Sequence, residues 1–330
     1  MRLLAITVLL FTLSPALADP PVLTVYTYSS FTADWGPGPA VESAFEARCG
    51  CDLEFVAVDD GVALLGRIRL EGGRSDADVV LGLDTNLMSE AADTGLFAVH
   101  GLDLSHLSMP MDWDSDTFVP YDYGYFAFVY DTRRLAEPPT SMDELIHGQT
   151  EHQVLIQDPR TSTPGLGLLL WMKKLHGEEN ASAWEALQPR VLTVTKGWSE
   201  AYGLFLEGEA PLVLSYTTSP AYHRIAEGES HYAAAPFAEG HYLQVEVAGV
   251  LASTDQPELA RDFLRFMVSE DFQREIPTGN WMYPVIELEA GLPEGFPEPV
   301  PASDTLFFPP EVVAENRRAW VDEWLRAMSE

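Results

Sequence analysis

Short apolar stretches of β-type composition alternate with helical patterns through the first third of the chain. The first stretch, Val22–Tyr28, is rich in β-branched and aromatic residues, and similar stretches follow at Leu53–Val58 and Ala77–Leu83. Helical patterns separate them, at Val41–Phe45 and at Gly61–Leu70. Strands that alternate with helices favour a parallel sheet covered by helices. The sequence therefore predicts an α/β fold with a doubly wound, mainly parallel sheet.

The alternation continues to the end of the chain. Strands are predicted at Phe118–Tyr130, which is long and aromatic, and at Val154–Ile156, Ala210–Tyr216 and Gln244–Ala252. A helix is predicted to begin at Thr163-Pro164, and an amphipathic helix has Leu259, Phe263, Leu264 and Met267 on one face. A terminal helix is predicted from Pro310, with Val313, Trp320, Trp324 and Met328 on its apolar face. A chain of 330 residues also has the length of two domains.

The N-terminus has the anatomy of a secretory signal. Met1-Arg2 is a short basic start, Leu3–Leu13 is apolar, and Ala16-Leu17-Ala18 is a small-x-small cleavage pattern. The apolar core is too short to span a bilayer comfortably. We therefore predict a signal peptide at residues 1–18, a mature chain that starts at Asp19, and a location outside the cytoplasm.

The charge balance excludes some partners. The chain has 51 acidic and 19 basic residues, for a net charge of −32, and only three of the basic residues are lysines. Binding to nucleic acid or to an anionic membrane surface requires basic patches. We expect neither a nucleic-acid partner nor direct membrane insertion. The acidic residues are scattered, which indicates a solvated surface adapted to salt.

The two cysteines form a Cys49-Gly50-Cys51 segment. A disulfide is plausible in an oxidising compartment, although so small a ring is strained, and Gly50 would ease the backbone. Metal binding would require further ligands, and none cluster near this segment. We predict a structural bridge and no metal site.

The common catalytic signatures are absent from the sequence. It has no Gly-x-Ser-x-Gly elbow, no Walker loop and no His-Glu-x-x-His motif. Its eight histidines are scattered without the spacing of metal ligands. Bridged cysteines could not act as nucleophiles. The sequence therefore gives no support for an enzyme.

Polar and aromatic residues concentrate at predicted strand ends, where open α/β sheets bind ligands. Each segment has an ordinary alternative, because a Ser-Thr-Pro sequence often only caps a helix and an aromatic residue often only packs in a core. Together they predict a pocket with an aromatic wall, a carboxylate and an anion-binding helix start, which suits a flat cation that carries phosphate. The segments are Tyr26–Ser30, Asp59–Gly61, Asp158–Gly167, Gly197–Glu200, Ser215–Ser219 and Gly279–Tyr283.

Long stretches of the chain resemble the periplasmic thiamine-binding proteins of bacterial thiamine ABC transporters. This resemblance implies a two-lobed type II periplasmic binding protein fold, with a ligand in the cleft between two doubly wound lobes. The implied lobes are 19–125 with about 240–290, and about 126–239 with 291–330. The resemblance is dense in Val22–Tyr28, Asp34–Pro39, Phe118–Phe126, Gln157–Trp171, Thr195–Gly203, Ser215–Tyr222 and Pro277–Pro284.

The resemblance also implies a function and a set of partners. A protein of this family captures thiamine in the periplasm, together with thiamine monophosphate and thiamine diphosphate (pyrophosphate). It delivers the ligand to a membrane permease driven by a cytoplasmic ATPase. We accordingly expect a monomer that has no catalytic residues and needs no cofactor, with thiamine as its transported ligand.

Residue by residue, the family's pocket maps onto matching positions of this sequence. Asp60 would offset the charge of the cation, the aromatic residues would line its rings, and Ser162 with Thr163 would hold the hydroxyethyl arm or its phosphate. The implied ligand-binding residues are Asp60, Gly61, Ser162, Thr163, Trp198, Tyr216, Thr217, Thr218 and Ser219, with Tyr28, Tyr222 and Trp281 as further pocket aromatics.

Three alternatives remain open from the sequence. Ferric-ion carriers of this fold usually offer two adjacent tyrosines, whereas Tyr216 and Tyr222 are separated by five residues. Polyamine carriers use several carboxylates, and here the candidates are mainly Asp60 and Glu200. Thiamine-degrading enzymes of the same fold attack through a cysteine, and the sequence offers no suitably placed thiol.

Overall fold

The computed structural model describes residues 20–148 and 152–329. The predicted signal peptide and Asp19 lie outside the described residues. The strands are β1 Val22–Tyr28, β2 Asp52–Val58, β3 Val79–Asp84, β4 Val119–Asp131, β5 Val154–Gln157, β6 Val191–Thr195, β7 Leu212–Tyr216, β8 Tyr232–Ala234, β9 His241–Val250, β10 Tyr283–Pro284 and β11 Thr305–Leu306. The helices are α1 Gly38–Cys49, α2 Gly61–Glu71, α3 Thr85–Ala92, α4 Met142–His147, α5 Thr163–His176, α6 Asn180–Leu187, α7 Trp198–Leu206, α8 Ser219–Tyr222, α9 Pro257–Met267, α10 Glu270–Gln273 and α11 Pro310–Ala327.

The strands are hydrogen-bonded in the order β2-β1-β3-β9-β4-β7-β5-β6, with β8, β10 and β11 attached at the sides. At both ends of this order the pairs are parallel: β2-β1-β3 and β7-β5-β6. The central strands β9 and β4 run antiparallel to each other and to their outer neighbours β3 and β7. The predicted parallel sheets are therefore present on both sides, and a central antiparallel pair joins them.

The sheet has two halves, one with β2, β1, β3 and β9 and the other with β7, β5 and β6, and strand β4 belongs to both. Its first part, Val119–Tyr125, pairs with β9, and its second part, Phe126–Tyr130, pairs with β7. Almost all of its side chains are buried. A strand that is covered on both faces requires a continuous apolar sequence, which explains the long aromatic run.

Helices from both halves share one apolar core. The inner face of α2, including Leu64 and Ile68, belongs to the same buried cluster as Leu169 and Trp171 of α5. The terminal helix α11 joins this cluster through Val313 and Trp324, which are buried, and through Trp320 and Met328, which are partly buried. The predicted apolar face of α11 is thus the face that packs.

Two strand irregularities flank the centre of the sheet. The register of β3 against β9 shifts at Gly82, and the register of β4 against β9 shifts at Tyr121. Gly82 has φ +106, and a Cβ there would lie 2.2 Å from the ring of Tyr28, so only glycine fits. Bulges of this kind redirect side chains and are common beside functional sites.

Cys49 and Cys51 form a disulfide across Gly50, which has φ +63 in the left-handed region. The bridge lies at the junction of α1 and β2.

None of the helices in the described ranges is long and apolar enough to cross a membrane.

Candidate functional site

A cavity of about 310 Å³ opens between the two halves, a size typical of small-molecule sites. It contains residues from several strand ends and helix starts, as expected for an α/β ligand site. The residues that line it are Tyr28, Ser30, Trp35, Asp60, Pro164, Trp198, Ser199, Tyr202, Gly203, Leu206, Tyr216, Ser219, Tyr222, Glu246, Asn280, Trp281 and Met282.

Helix α7 supplies one aromatic wall of the cavity. Trp198 stacks on Tyr202 with ring centroids 4.9 Å apart, and its Nε1 donates to Ser215 Oγ at 2.8 Å. The next turn adds Leu206, because residues spaced by four lie on one helix face. Trp35, which is 46% exposed, also lines the cavity, and its ring centroid lies 6.1 Å from that of Trp198.

A second wall is formed by Trp281 and Tyr222, whose rings meet edge to face at 5.3 Å. Trp281 follows a π-helical turn, Ile276–Asn280, and has φ 57, the one positive φ of a non-glycine residue in the described parts of the chain. Strained backbone of this kind persists at functional sites when its surroundings hold it. The turn fixes the direction in which Trp281 faces the cavity.

A buried histidine supports the aromatic side chains from behind. Nε2 of His223 forms a hydrogen bond with the Tyr202 hydroxyl at 2.9 Å, and its Nδ1 lies 2.6 Å from Glu227 Oε2. Burial lowers the pKa of His223 despite the nearby carboxylate of Glu227. This contact fixes the rotation of the Tyr202 ring at the cavity surface.

Asp60 is held by the starts of three helices. It caps α2, and its Oδ1 accepts from the backbone N–H of Gly61 at 2.8 Å. Its Oδ2 accepts from Ser162 Oγ at 2.8 Å and from the backbone N–H of Trp198 at 3.3 Å, at the starts of α5 and α7. Burial raises the pKa of Asp60, and these hydrogen bonds, with one from the Thr163 backbone, oppose that rise. Helix dipoles favour a negative charge at this point.

The two halves meet closely around Asp60. A Cβ on Gly61 would lie 2.4 Å from both the Gly82 carbonyl oxygen and Thr163 Oγ1, so this contact requires glycine. Lys196 forms an ion pair with Asp59 at 3.0 Å, which adds a further link between the halves. Asp60 therefore both faces the cavity and joins the two halves of the protein.

Glu246 lies at the floor of the cavity on β9. Its Oε2 accepts from the hydroxyls of Tyr28 at 2.7 Å and Tyr121 at 2.6 Å, and its Oε1 accepts from Gln244 at 2.9 Å. Asn280 Nδ2 approaches the same Oε2 at 3.4 Å. Burial raises the pKa of Glu246 to about 7, against the lowering effect of the two tyrosine hydroxyls.

The floor network extends to two further groups. The Tyr216 hydroxyl donates to Gln244 Oε1 at 2.8 Å, which connects the second half of the protein to the floor. Asn280 Nδ2 also donates to Asp122 Oδ2 at 2.6 Å. Burial and the charge of Glu246 raise the pKa of Asp122 well above its ordinary value.

Seven of the twelve predicted ligand-binding residues line the cavity: Tyr28, Asp60, Trp198, Tyr216, Ser219, Tyr222 and Trp281. The other five, Gly61, Ser162, Thr163, Thr217 and Thr218, are not among the residues that line it. Ser162 Oγ donates to Asp60, and the Thr163 backbone faces the same carboxylate, so the role predicted for these two residues in holding the hydroxyethyl arm or its phosphate stays a prediction. Glu200 is exposed and does not line the cavity, so the second cavity carboxylate is Glu246.

Some residues that sequence reasoning missed carried a readable signal. Glu246 interrupts an apolar strand, and a charge inside a buried strand indicates a special role. Tyr202 and Leu206 follow Trp198 at helical spacing. By contrast, Trp35 reaches the cavity only through the tertiary fold.

The cavity is lined by two carboxylates, Asp60 and Glu246, and by no lysine, arginine or histidine. Seven of its side chains are aromatic. In the described ranges 20–148 and 152–329, no group of three or more His, Cys, Asp or Glu residues is arranged to hold a metal ion. This combination is suited to an organic cation.

Comparisons with known proteins match this architecture. The family model for "Bacterial extracellular solute-binding protein" matches residues 75–309. The chain belongs to the bacterial extracellular solute-binding proteins. This solute-binding protein is 59% identical to the thiamine-binding periplasmic protein of Escherichia coli K12 over 97% of each chain. It is 52% identical to the thiamine-binding periplasmic protein of Brucella melitensis, over 96% of this chain and 95% of the relative.

A solved structure titled "Periplasmic thiamin binding protein" superimposes with a TM-score of 0.91 at 59% identity, covering 94% of this solute-binding protein and 97% of that chain. The predicted two-lobed periplasmic binding protein fold is thereby confirmed. The predicted family is confirmed as well.

Proposed function

We propose that this solute-binding protein captures thiamine in the periplasm and delivers it to the permease of an ABC-type importer. The observation that carries the proposal is the cavity surface, which combines seven aromatic side chains with two carboxylates and no basic side chain. The names of relatives at 52–59% identity support the same ligand.

Thiamine matches the cavity in shape and charge. It has two flat rings, and its thiazolium ring carries a permanent positive charge. Aromatic faces attract such a cation by about 0.5–2 kcal/mol per ring, and Trp198 and Trp281 both line the cavity. Asp60 and Glu246 supply the opposite charge in a site with little solvent.

We further propose thiamine monophosphate and thiamine diphosphate as ligands. Ser30, Ser199 and Ser219 place hydroxyl donors at the cavity surface. Ser199 lies in the first turn of α7, where the helix dipole favours a phosphate. Ser162 and Thr163 at the α5 start stay candidates for the same phosphate, because Asp60 accepts hydrogen bonds at the starts of both α5 and α7.

The proposed lobes comprise residues 19–125 with about 240–290, and about 126–239 with 291–330. The change of β4 partners between Tyr125 and Phe126 supports the first boundary. The last boundary assigns α11 to the second lobe, and its Glu323 accordingly contacts Lys173 of α5 at 3.3 Å. Its Arg317 also pairs with Glu90 of α3 at 2.7 Å, so α11 bridges the lobes.

We infer that the protein binds thiamine without converting it, as a monomer that requires no cofactor. Neither cysteine lines the cavity, and the two are bridged to each other. The thiamine-degrading alternative requires a cysteine nucleophile at the ligand.

Calorimetric titration of mature protein, unfolded and refolded beforehand to remove carried-over ligand, tests the proposal. We expect one thiamine per chain, and mass spectrometry of the recovered ligand should show intact thiamine. Spermidine and ferric citrate serve as comparison ligands. The proposal is overturned if folded protein binds no thiamine or binds spermidine or ferric ion more tightly.

A further inference from the structure

Three carboxylates lie side by side on neighbouring strands beneath the cavity. Glu246 of β9 is the register partner of Asp84 on β3 and of Asp122 on β4. We call Asp84, Glu246 and Asp122 the carboxylate row. Like charges directly across a sheet destabilise it. A buried row of this kind therefore costs stability.

The groups that face Glu246 come from every element packed around it, and none of those described is basic. The hydroxyls of Tyr28 and Tyr121 and the amides of Gln244 and Asn280 donate to it. The acidic groups that act on the row are Asp60, Asp84 and Asp122, and Tyr216 lies within their field. No side chain in these contacts neutralises the row.

The row is also incompletely hydrogen-bonded. Asp122 is fully buried, and its Oδ1 has no hydrogen-bond partner among the described residues. Asp84 directs its oxygens to the backbone and side chain of Asn86, at 3.1 and 2.7 Å. Only Glu246 of the three reaches the cavity surface. A change of charge in the row therefore acts on a bound ligand mainly through Glu246, the member that the ligand can contact.

We propose that the carboxylate row selects a cationic ligand by exchanging a bound proton for the positive charge of the ligand. This inference rests on the proposed function and deepens it. In the empty protein one carboxyl of the row is protonated. When the cation binds over Glu246, that O–H bond breaks heterolytically, its electron pair stays on the carboxylate, and the proton leaves to solvent.

The direction of the pH dependence follows from this exchange. Burial raises the pKa of Glu246 and of Asp84 to about 7, and burial with the charge of Glu246 raises the pKa of Asp122 well above its ordinary value. A bound cation lowers these pKa values again, so the complex holds fewer protons than the free protein. Affinity therefore weakens as pH falls below about 7, by at most tenfold per pH unit for each proton released.

Calorimetry in buffers of different ionisation enthalpy measures the protons released directly. With thiamine as the probe, we expect release that approaches one proton near pH 6 and declines above about pH 8. Thiochrome, a flat uncharged oxidation product of thiamine, should release none. The series starts near pH 6 because the aminopyrimidine of thiamine itself titrates in more acidic solution.

Three variants locate the proton. Asp122→Asn should lose proton release and flatten the pH dependence of affinity. Glu246→Gln should also lower thiamine affinity at pH 8 by about tenfold or more, as expected for a buried charge partner. Asp131→Asn is the control, because Asp131 is also a buried carboxylate of β4 but pairs with Arg133 outside the cavity. It should retain the wild-type proton release.

Each result decides the inference separately from the function. Tight thiamine binding with no proton release, or release that survives in both Asp122→Asn and Glu246→Gln, overturns proton exchange and leaves thiamine capture intact. Absence of thiamine binding by the wild type overturns the proposed function itself. If Glu246→Gln does not fold, the wild-type buffer series and Asp122→Asn still decide.

Discussion

Two buried carboxylates face the same cavity in different surroundings. Asp60 accepts main-chain N–H groups and a serine hydroxyl at the starts of three helices. Glu246 accepts phenolic hydroxyls and side-chain amides, and has Asp84 and Asp122 as its neighbours on the adjacent strands. Both carboxylates accept hydrogen bonds, but only Glu246 also has two buried acids as its direct neighbours on the adjacent strands.

This difference separates two tasks within one site. Helix starts present aligned donors that offset part of the charge of Asp60, although burial still raises its pKa. Since its donors come from both halves of the molecule, Asp60 is suited to hold those halves together. The charge of Glu246 is left for the ligand to compensate. Removing each carboxylate should therefore have different consequences.

The largest effect is expected for Asp60→Ala. The substitution leaves the Ser162 hydroxyl and the N–H groups of Gly61 and Trp198 without their acceptor. Removing one partner of such a buried, charge-assisted cluster costs about 2–5 kcal/mol. Thiamine affinity should therefore fall by at least about thirtyfold in calorimetric titration.

The adjacent carboxylate provides a matched control for this prediction. Asp59 is half-exposed, and its contact is a surface ion pair with Lys196 at 3.0 Å. Surface ion pairs contribute about 0–1 kcal/mol, so Asp59→Ala should change affinity only slightly. Equal losses in Asp59→Ala and Asp60→Ala would show that the donors around Asp60 have no special role.

Trp198→Ala sharpens the comparison, because it removes a cavity wall but keeps the backbone donor to Asp60. Loss of one stacked ring should weaken thiamine binding by about 1–3 kcal/mol, less than loss of Asp60. Trp35→Ala, which removes a half-exposed ring at the opening, should cost under about 1 kcal/mol. Fluorescence titration of both variants tests this order, and unchanged affinity in Trp198→Ala would rule out a stacking role.

The same two regions show how far the sequence predicts the site. Asp60 and Trp198 lie at predicted boundaries between strands and helices, where ligand groups are expected, and both line the cavity. The carboxylate row was missed because its members lie far apart in sequence and meet only through strand register. The register of a strand depends on which distant strand it pairs with, and the local sequence of the strand does not specify that partner.

The fold follows the same rule. Strand β1 was predicted with its observed ends, since an apolar run bounded by polar residues determines a buried strand locally. The antiparallel placement of β9 and β4 in the centre of the sheet was not predicted. Alternation of strands and helices favours parallel neighbours, and only the tertiary fold inserts β9 between β3 and β4.

The last test measures the cost of the uncompensated charge in ligand-free protein. Burial raises the pKa of Glu246 from 4.5 to about 7, so between these values the native state binds more protons than the unfolded state. The contribution of this carboxyl to stability is therefore greatest below the unfolded pKa and declines as pH rises to the folded pKa, by at most about 1.4 kcal/mol per pH unit. Glu246→Gln removes the decline.

Urea unfolding at pH 5 and pH 8 measures that difference. The stability of Glu246→Gln relative to wild type should increase from the lower to the higher pH by on the order of 1 kcal/mol. Glu200→Gln is the control, because Glu200 is exposed on α7, and its difference from wild type should be the same at both pH values. If the stability difference between Glu246→Gln and wild type is also the same at both pH values, the floor of the cavity compensates the charge of Glu246 as fully as the helix starts compensate the charge of Asp60.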